Sequence, residues 1–389
     1  MNNLISKIES YPFERLRDLI KPQGFDEEIN LSIGEPKHAA NSETLNIISQ
    51  NQKLFSHYPP MSMIPELRDS YRNYLQDNFE LSNIENDEIF LVGGTREGTF
   101  SAIQTMVDRE LIAKKPFVFI PNPYYQIYGG ATLFAGAKPM FMDCNDKNNF
   151  QIDFDSIEGE KWEKCQLLVL CSPSNPTGKL MTKEELCSLV ELSNKYDFKI
   201  LSDECYIDIY FEAKPTSILE AAFEVNGNLE NVLALHSLSK RSNLPGFRSG
   251  CATGDKKIIS AYSKYRMFHG VSVPLPIQKA SAYAWQDDAI VDKNRIAYKE
   301  KFKLAETILD RDSLTPEGAF YLWLKVNNSE VFTKKLYDLE KVIVLPGKYL
   351  GAEKNGINPA EQYLRIALVH DIESTTKALK SIKKVLDNE

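Results

Sequence analysis

In the stretch HSLSKRSNLPGFRSG, residues 236–250, the hydroxyls of Ser237 and Ser239 flank the approach to Lys240, and Arg248 lies eight positions beyond the lysine. A lysine amine in a partly desolvated pocket is neutral often enough to form a Schiff base with a carbonyl. The two hydroxyls and the planar Arg248 guanidinium suit a phosphate, which they can clamp through charge-assisted hydrogen bonds. Taken singly, a lysine is far more often a solvated surface charge, and serines are ordinary turn residues. Together they point to a phosphorylated aldehyde held by Lys240, hence to pyridoxal 5'-phosphate. That cofactor has further requirements. Its ring nitrogen needs a carboxylate if the ring is to act as an electron sink, and Asp203 in KILSDECY supplies one. Its phenolate oxygen needs donors, for which Asn175 in SNPTG and Tyr206 are the candidates, and its ring face needs a flat partner, for which Tyr125 in PNPYYQIY serves. Each has a plainer reading alone: SNPTG as a turn, Asp203 as a loop carboxylate, Tyr125 as a core aromatic.

Such residues need a scaffold that gathers distant segments. Short apolar runs, PFVFIP (116–121), PMFMDC (139–144), QLLVLCS (166–172), FKILSDE (198–204), NVLALHS (231–237) and FRSGCATG (247–254), alternate with amphipathic stretches such as TKEELCSLVELSNKYD (182–197). This rhythm predicts an α/β fold, a mostly parallel sheet sandwiched by helices. Ligands of open α/β sheets bind beyond the carboxyl ends of the strands. Here SPSNPTG follows QLLVLC, DECY follows KILS and SLSK follows VLALH, so three strand ends should converge on one site. From about residue 285 the pattern becomes one long polar helix, DDAIVDKNRIAYKEKFKLAETILD, followed by the strand-like AFYLWLKV (319–326) and YLRIALV (363–369). The expected organisation is a large cofactor-binding domain over 41–284 and a smaller α+β domain over 285–389, which the N-terminal segment 1–40 joins. There is no internal repeat, low-complexity tract or Gly/Ser linker.

Composition narrows the function class. A chain of 389 residues with 43% apolar residues can bury a large core without staples. Its six cysteines show no C-x-x-C spacing, which favours reduced thiols in a cytoplasmic protein and speaks against a structural metal site. No run approaches the roughly 18 apolar residues of a membrane span, and a net charge of −8 disfavours nucleic acid as a partner. Small-molecule chemistry is the leading class.

With these residues in order, the chain resembles the class I/II aminotransferases of the fold-type I pyridoxal-phosphate enzymes, from SIGEPKH near the start to YLRIALV near the end. The resemblance implies that Lys240 is the Schiff-base lysine, that Ser237, Ser239 and Arg248 hold the phosphate, and that Asp203, Tyr206 and Asn175 serve the ring. Tyr125 would stack on it. GGTREGTF (93–100) looks like the family's phosphate-binding turn, in which the N–H groups of Thr95 and Arg96 meet the anion. Arg365 matches the arginine that forks onto the substrate α-carboxylate, and Gly34 the close backbone contact beside it. Met63 and Asn243 stand where many members carry glycine, departures that touch loop shape more than chemistry. β-Lyases and decarboxylases of this fold share Lys240, Asp203 and Arg248, so these residues alone leave a C–S β-lyase open.

The stretches KRSNLPGFRSG, YPFERLR and GEPKH look closer to bacterial N-succinyldiaminopimelate aminotransferases than to the aspartate, alanine or aromatic branches, although HAAN after GEPK departs from that subgroup's proline-containing pattern. That resemblance implies lysine biosynthesis, with 2-oxoglutarate and glutamate as the acceptor pair. The substrates' distal carboxylates need a cation or a cluster of donors; Arg15, Arg17, Arg241 and Arg266 are the candidates. Tyr58, in HYPPMSMIPELR, matches a tyrosine that reaches the phosphate of the neighbouring subunit, implying a homodimer with shared active sites. The protein should therefore sediment as a dimer, and Tyr58→Phe should weaken cofactor retention without unfolding it. A fully active monomer at assay concentration contradicts this.

Overall fold

The computed structural model of the protein describes residues 3–24 and 28–388. The chain opens with α1 (Pro12–Ile20), β1 (Ile29–Asn30), α2 (Ser42–Gln50) and α3 (Pro65–Phe79). The alternating portion follows: β2 (Ile89–Val92), α4 (Thr95–Met106), β3 (Phe117–Asn122), α5 (Ile127–Ala135), β4 (Lys138–Asp143), α6 (Gly159–Glu163), β5 (Cys165–Cys171), α7 (Lys183–Tyr196), β6 (Lys199–Asp203), α8 (Ile218–Asn226), β7 (Val232–Ser237), α9 (Leu238–Arg241) and β8 (Gly250–Gly254). Then come α10 (Lys256–His269), α11 (Leu275–Gln286), α12 (Asp288–Leu309), β9 (Tyr321–Lys325), α13 (Ser329–Glu340), β10 (Val342–Ile343), β11 (Leu345–Pro346), β12 (Tyr363–Ala367) and α14 (Ile372–Leu386).

Seven strands form one sheet in the order β2-β8-β7-β6-β5-β3-β4. The pairs from β7 through β4 are parallel, whereas β8 runs antiparallel to both β7 and β2. Inside the edge strand β4 the sheet is buried on both faces, which explains why its inner strands read as continuous apolar runs without alternation. Successive side chains still go to opposite sides: Leu168, Leu170, Ile200, Val232 and Ala234 join one core, and Leu167, Val169, Leu201, Leu233 and Leu235 the other. The covering helices carry local start signals. Thr182 accepts from the Glu185 N–H at 3.2 Å while the Glu185 carboxylate accepts from the Thr182 N–H at 2.7 Å, a capping box that starts α7.

The C-terminal part has its own core. β11-β12-β9 form an antiparallel sheet. Its apolar face packs with Tyr298, Phe302, Ala305 and Leu309 of α12, residues spaced three or four apart, and with Leu379 and Ile382 of α14. Ile29 and Leu31 belong to the same core, and β1 lies parallel to β10 with Ile29 opposite Val342. The N-terminal segment thus reaches from this core to the ends of the large sheet.

Behind the sheet end that carries α9, Arg241 is almost fully buried. It donates to Asp208 at 2.8 Å, to Asp288 at 2.6 Å and to the Trp285 carbonyl at 3.1 Å, and its guanidinium lies 4.7 Å from the centre of the Tyr74 ring. Removing one member of a buried ion pair leaves the other uncompensated. Arg241→Met should accordingly lower the thermal midpoint by roughly 5 °C; an unchanged melting curve would show that Asp208 does not depend on it.

Candidate active site

β5, β6 and β7 are neighbours in the sheet, and their carboxyl ends open into one cavity of about 370 Å³. Lys240, Asp203, Tyr206, Thr95, Arg96, Tyr125, Asn175, Ser237, Ser239, Arg248, Gly34 and Arg365 all line it. Tyr58 does not; it is 100% exposed on the single chain.

Lys240 sits in the single turn of α9, whose start is capped by Ser237 accepting from the Ser239 N–H at 3.1 Å. Its Nζ donates to the Gly34 carbonyl. Burial, joined by the positive charges of Arg365 and Arg248, lowers its pKa to about 8. The turn after it is shaped by Asn243, whose φ of 55° lies in the left-handed region that glycine favours and asparagine tolerates. Asn243 adds a side-chain bond to Asn294 at 2.9 Å, so its departure from glycine is accommodated. Met63, the other departure, packs against the large-sheet core.

Asp203 ends β6 and is 3% exposed. Burial pushes its carboxyl above the usual range, against the pull of hydrogen bonds from the Tyr128 hydroxyl at 2.9 Å and the Cys205 N–H at 3.4 Å. A carboxylate in that setting gains from a cationic N–H placed before it. The Tyr206 hydroxyl meets that of Tyr321 at 2.8 Å, and burial holds both phenols in the neutral form by raising their pKa values.

On the phosphate side, Gly94 caps α4 with φ 86°, and a Cβ there would overlap the Arg248 guanidinium. The absence of a side chain lets that guanidinium lie against the amino end of a twelve-residue helix, beside Ser237 and Ser239. Also lining the cavity, Arg365 of β12 donates to Asn175 Oδ1 at 3.0 Å and to the Ser32 carbonyl at 2.7 Å, while its Nε is buried without a hydrogen-bond partner among the described residues. Its guanidinium lies 4.6 Å from the centre of the Tyr321 ring. Gly34 is required nearby, because any Cβ would strike the Tyr321 hydroxyl. The donor set fits pyridoxal phosphate, since one cavity gathers an anion cradle, the buried carboxylate of Asp203 and the desolvated amine of Lys240.

Tyr128 and Tyr321 were not expected from sequence. Tyr128 lies one helical turn after Tyr125, a spacing that could have flagged it. Tyr321 is diagonal to Arg365 across the β9–β12 pair, visible only once the register is known. Phe13 and Ile33, which also line the cavity, carry no chemical signal. The arginines expected to meet a distal carboxylate are elsewhere. Arg241 is held by two aspartates and Arg266 by Glu97, both in the interior. Arg15 lies 4.0 Å from the Tyr349 ring centre in a separate cavity, and Arg17 is exposed on α1.

The model of the family described as aminotransferase class I and II matches residues 26–382. The chain is similar to a crystallised aminotransferase from Neisseria meningitidis, with a TM-score of 0.92 and 37% identity over 99% of this chain and 100% of that one. It is also similar to the LL-diaminopimelate aminotransferase of Natranaerobius thermophilus, 29% identical over 97% of both chains, and to the aspartate aminotransferase of Pyrococcus abyssi, 27% identical over 93% of this chain and 92% of its own.

The Lys240 environment has a pH signature. An ordinary lysine holds its proton to 10.5, the folded one only to about 8, so this group costs stability below pH 8 and the cost is relieved as pH rises from 8 to 10.5. Loading of pyridoxal phosphate onto the apoprotein should speed up about tenfold per pH unit as the neutral amine appears, then level off above about pH 8. A rate still climbing tenfold per unit at pH 10 would contradict the desolvated setting.

Proposed function

Starting from a chain that belongs to the class I and II aminotransferases, we propose that it moves an amino group between N-succinyl-L,L-diaminopimelate and 2-oxoglutarate, as a cytoplasmic homodimer. The coarser statement needs no proposal: the protein is a pyridoxal-phosphate-dependent aminotransferase of the fold-type I architecture, acting on amino acids and oxo acids. The observation that carries the site assignment is the convergence of Lys240, Asp203, Arg248 and Arg365 on one cavity at the strand ends.

When bound, pyridoxal phosphate supplies an aldehyde for the amine and a ring that withdraws electrons from the reacting carbon. The chain's own residues do the rest. Arg248, Ser237, Ser239 and the N–H groups of Thr95 and Arg96 would hold the phosphate, Tyr125 would serve the ring face, and Asn175 and Tyr206 would donate to the phenolate oxygen. Asp203, steadied by Tyr128, would keep a proton on the ring nitrogen. Arg365 would hold the substrate α-carboxylate beside Gly34, in the cavity that Lys240 also lines. Lys240 Nζ, through the neutral fraction that a pKa of about 8 leaves, would take the proton from the substrate α-carbon and hand it on.

The substrate reading is supported by the KRSNLPGFRSG and YPFERLR stretches and by a relative named for LL-diaminopimelate. The relative named for aspartate makes that amino acid the competing reading. Homodimerisation is supported by the exposure of Tyr58 with Met267 and Phe268, next to a loop whose Ser272 hydroxyl reaches Met61 at 2.8 Å. Dividing the chain near residues 40 and 284 belongs to the same proposal, with Ile29 and Leu31 seated in the C-terminal core as its support.

Lys240→Ala should abolish turnover and the visible absorbance of the lysine-bound cofactor; wild-type activity would remove Lys240 from its role. In a donor panel with 2-oxoglutarate, kcat/KM for N-succinyl-L,L-diaminopimelate should exceed that for aspartate, alanine and phenylalanine by at least roughly tenfold, about 1.4 kcal/mol of transition-state binding. A preference for one of those three would replace the substrate and leave the reaction type standing.

A further inference from the structure

Building on the aminotransferase reading above, we propose that Arg96 receives the second carboxylate of a dicarboxylic substrate, making glutamate, 2-oxoglutarate and longer distal acids the class this site is built for. Among the described residues, the cavity is lined by four cationic side chains, Lys240, Arg96, Arg248 and Arg365, and by one carboxylate, Asp203. None of the three arginines makes an ion pair among the described residues, in contrast to Arg241 and Arg266, which are neutralised in the interior. A phosphate beside Arg248 and an α-carboxylate at Arg365 use two of the three. Arg96 is left with its charge unmatched.

Its geometry suits a carboxylate. Arg96 follows Thr95 in the first turn of α4, and its Nε donates to the Tyr125 hydroxyl at 2.6 Å while a terminal nitrogen donates to the Tyr11 hydroxyl at 3.2 Å. Both acceptors are phenol hydroxyls and not carboxylates, so they orient the guanidinium without pairing its charge. Nη1 has no hydrogen-bond partner among the described residues, and the group stands near the tyrosine faces, 5.8 Å and 5.9 Å from the ring centres. A fork already held in one orientation loses less freedom when it binds. Arg96 is exposed and Arg365 is buried, so the two lie at different depths of one cavity. A substrate carrying a carboxylate at each end matches both.

The test compares two unreactive five-carbon acids, glutarate and valerate, which differ by one carboxylate, for binding to the holoenzyme by calorimetry. Kinetics with glutamate and with alanine run alongside. Arg96→Gln should weaken glutarate by at least roughly tenfold and valerate by less than about threefold, and kcat/KM should fall at least roughly tenfold more for glutamate than for alanine. Arg96→Lys should restore part of the glutarate affinity, since it keeps the charge and loses the fork. Equal losses for both acids would mean that Arg96 acts only through Tyr125 and the cofactor seat, and would overturn the proposal, as would unchanged glutarate binding. A wild type that ignores N-succinyl-L,L-diaminopimelate yet shows the selective loss would retire that substrate and support this assignment.

Discussion

An amine held in the interior beside two guanidinium groups is the constraint around which this molecule is arranged. Lys240 Nζ has a backbone carbonyl, that of Gly34, as its hydrogen-bond partner, and burial brings its pKa to about 8. The lowered pKa raises the neutral fraction, which can act both as a nucleophile toward an aldehyde and as a base toward an α-hydrogen. The arrangement lasts only if α9 cannot relax outward. Arg241, the next residue, pins the helix from behind through Asp208 and Asp288, and Asn294 of α12 donates to the Arg241 carbonyl at 3.0 Å. One face of a single helical turn thus carries the reactive group and the other carries the anchor.

The cavity also shows how positive charge is kept available. Where interior arginines are matched with carboxylates, those facing the cavity rest on neutral partners: Arg96 on phenols, Arg365 on an amide and a carbonyl, Arg248 on the Pro245 carbonyl at 2.8 Å. Such partners orient a guanidinium and leave its charge for the ligand. The protein is left less stable by uncompensated charge of this kind, and anionic ligands should restore what is lost.

Much of this was legible in the residues alone, for physical reasons. Strands buried on both faces are unbroken apolar runs, and polar residues directly after them must lie at strand ends, so SNPTG, DECY and SLSK could be placed on one edge without a structure. What stayed hidden depends on pairing and direction. The reversal of β8 leaves no trace in its composition, because an antiparallel strand inside a covered sheet looks like its neighbours. Tyr321 became part of the site only through its diagonal position to Arg365, and Phe13 and Ile33 only through the return of the N-terminal segment. Charge was the least readable property. Arg96 was expected to offer its backbone N–H, while Arg241 and Arg266 were candidates for a ligand they do not face; only burial and partners separate a structural arginine from a receiving one.

The central claim, that the amine at the end of β7 carries the cofactor, is tested most directly by reducing the holoprotein with borohydride and mapping the peptides by mass spectrometry. The account predicts a single phosphopyridoxyl adduct on the peptide that contains Lys240. An adduct on another lysine, or none on a protein that retains activity, would contradict it.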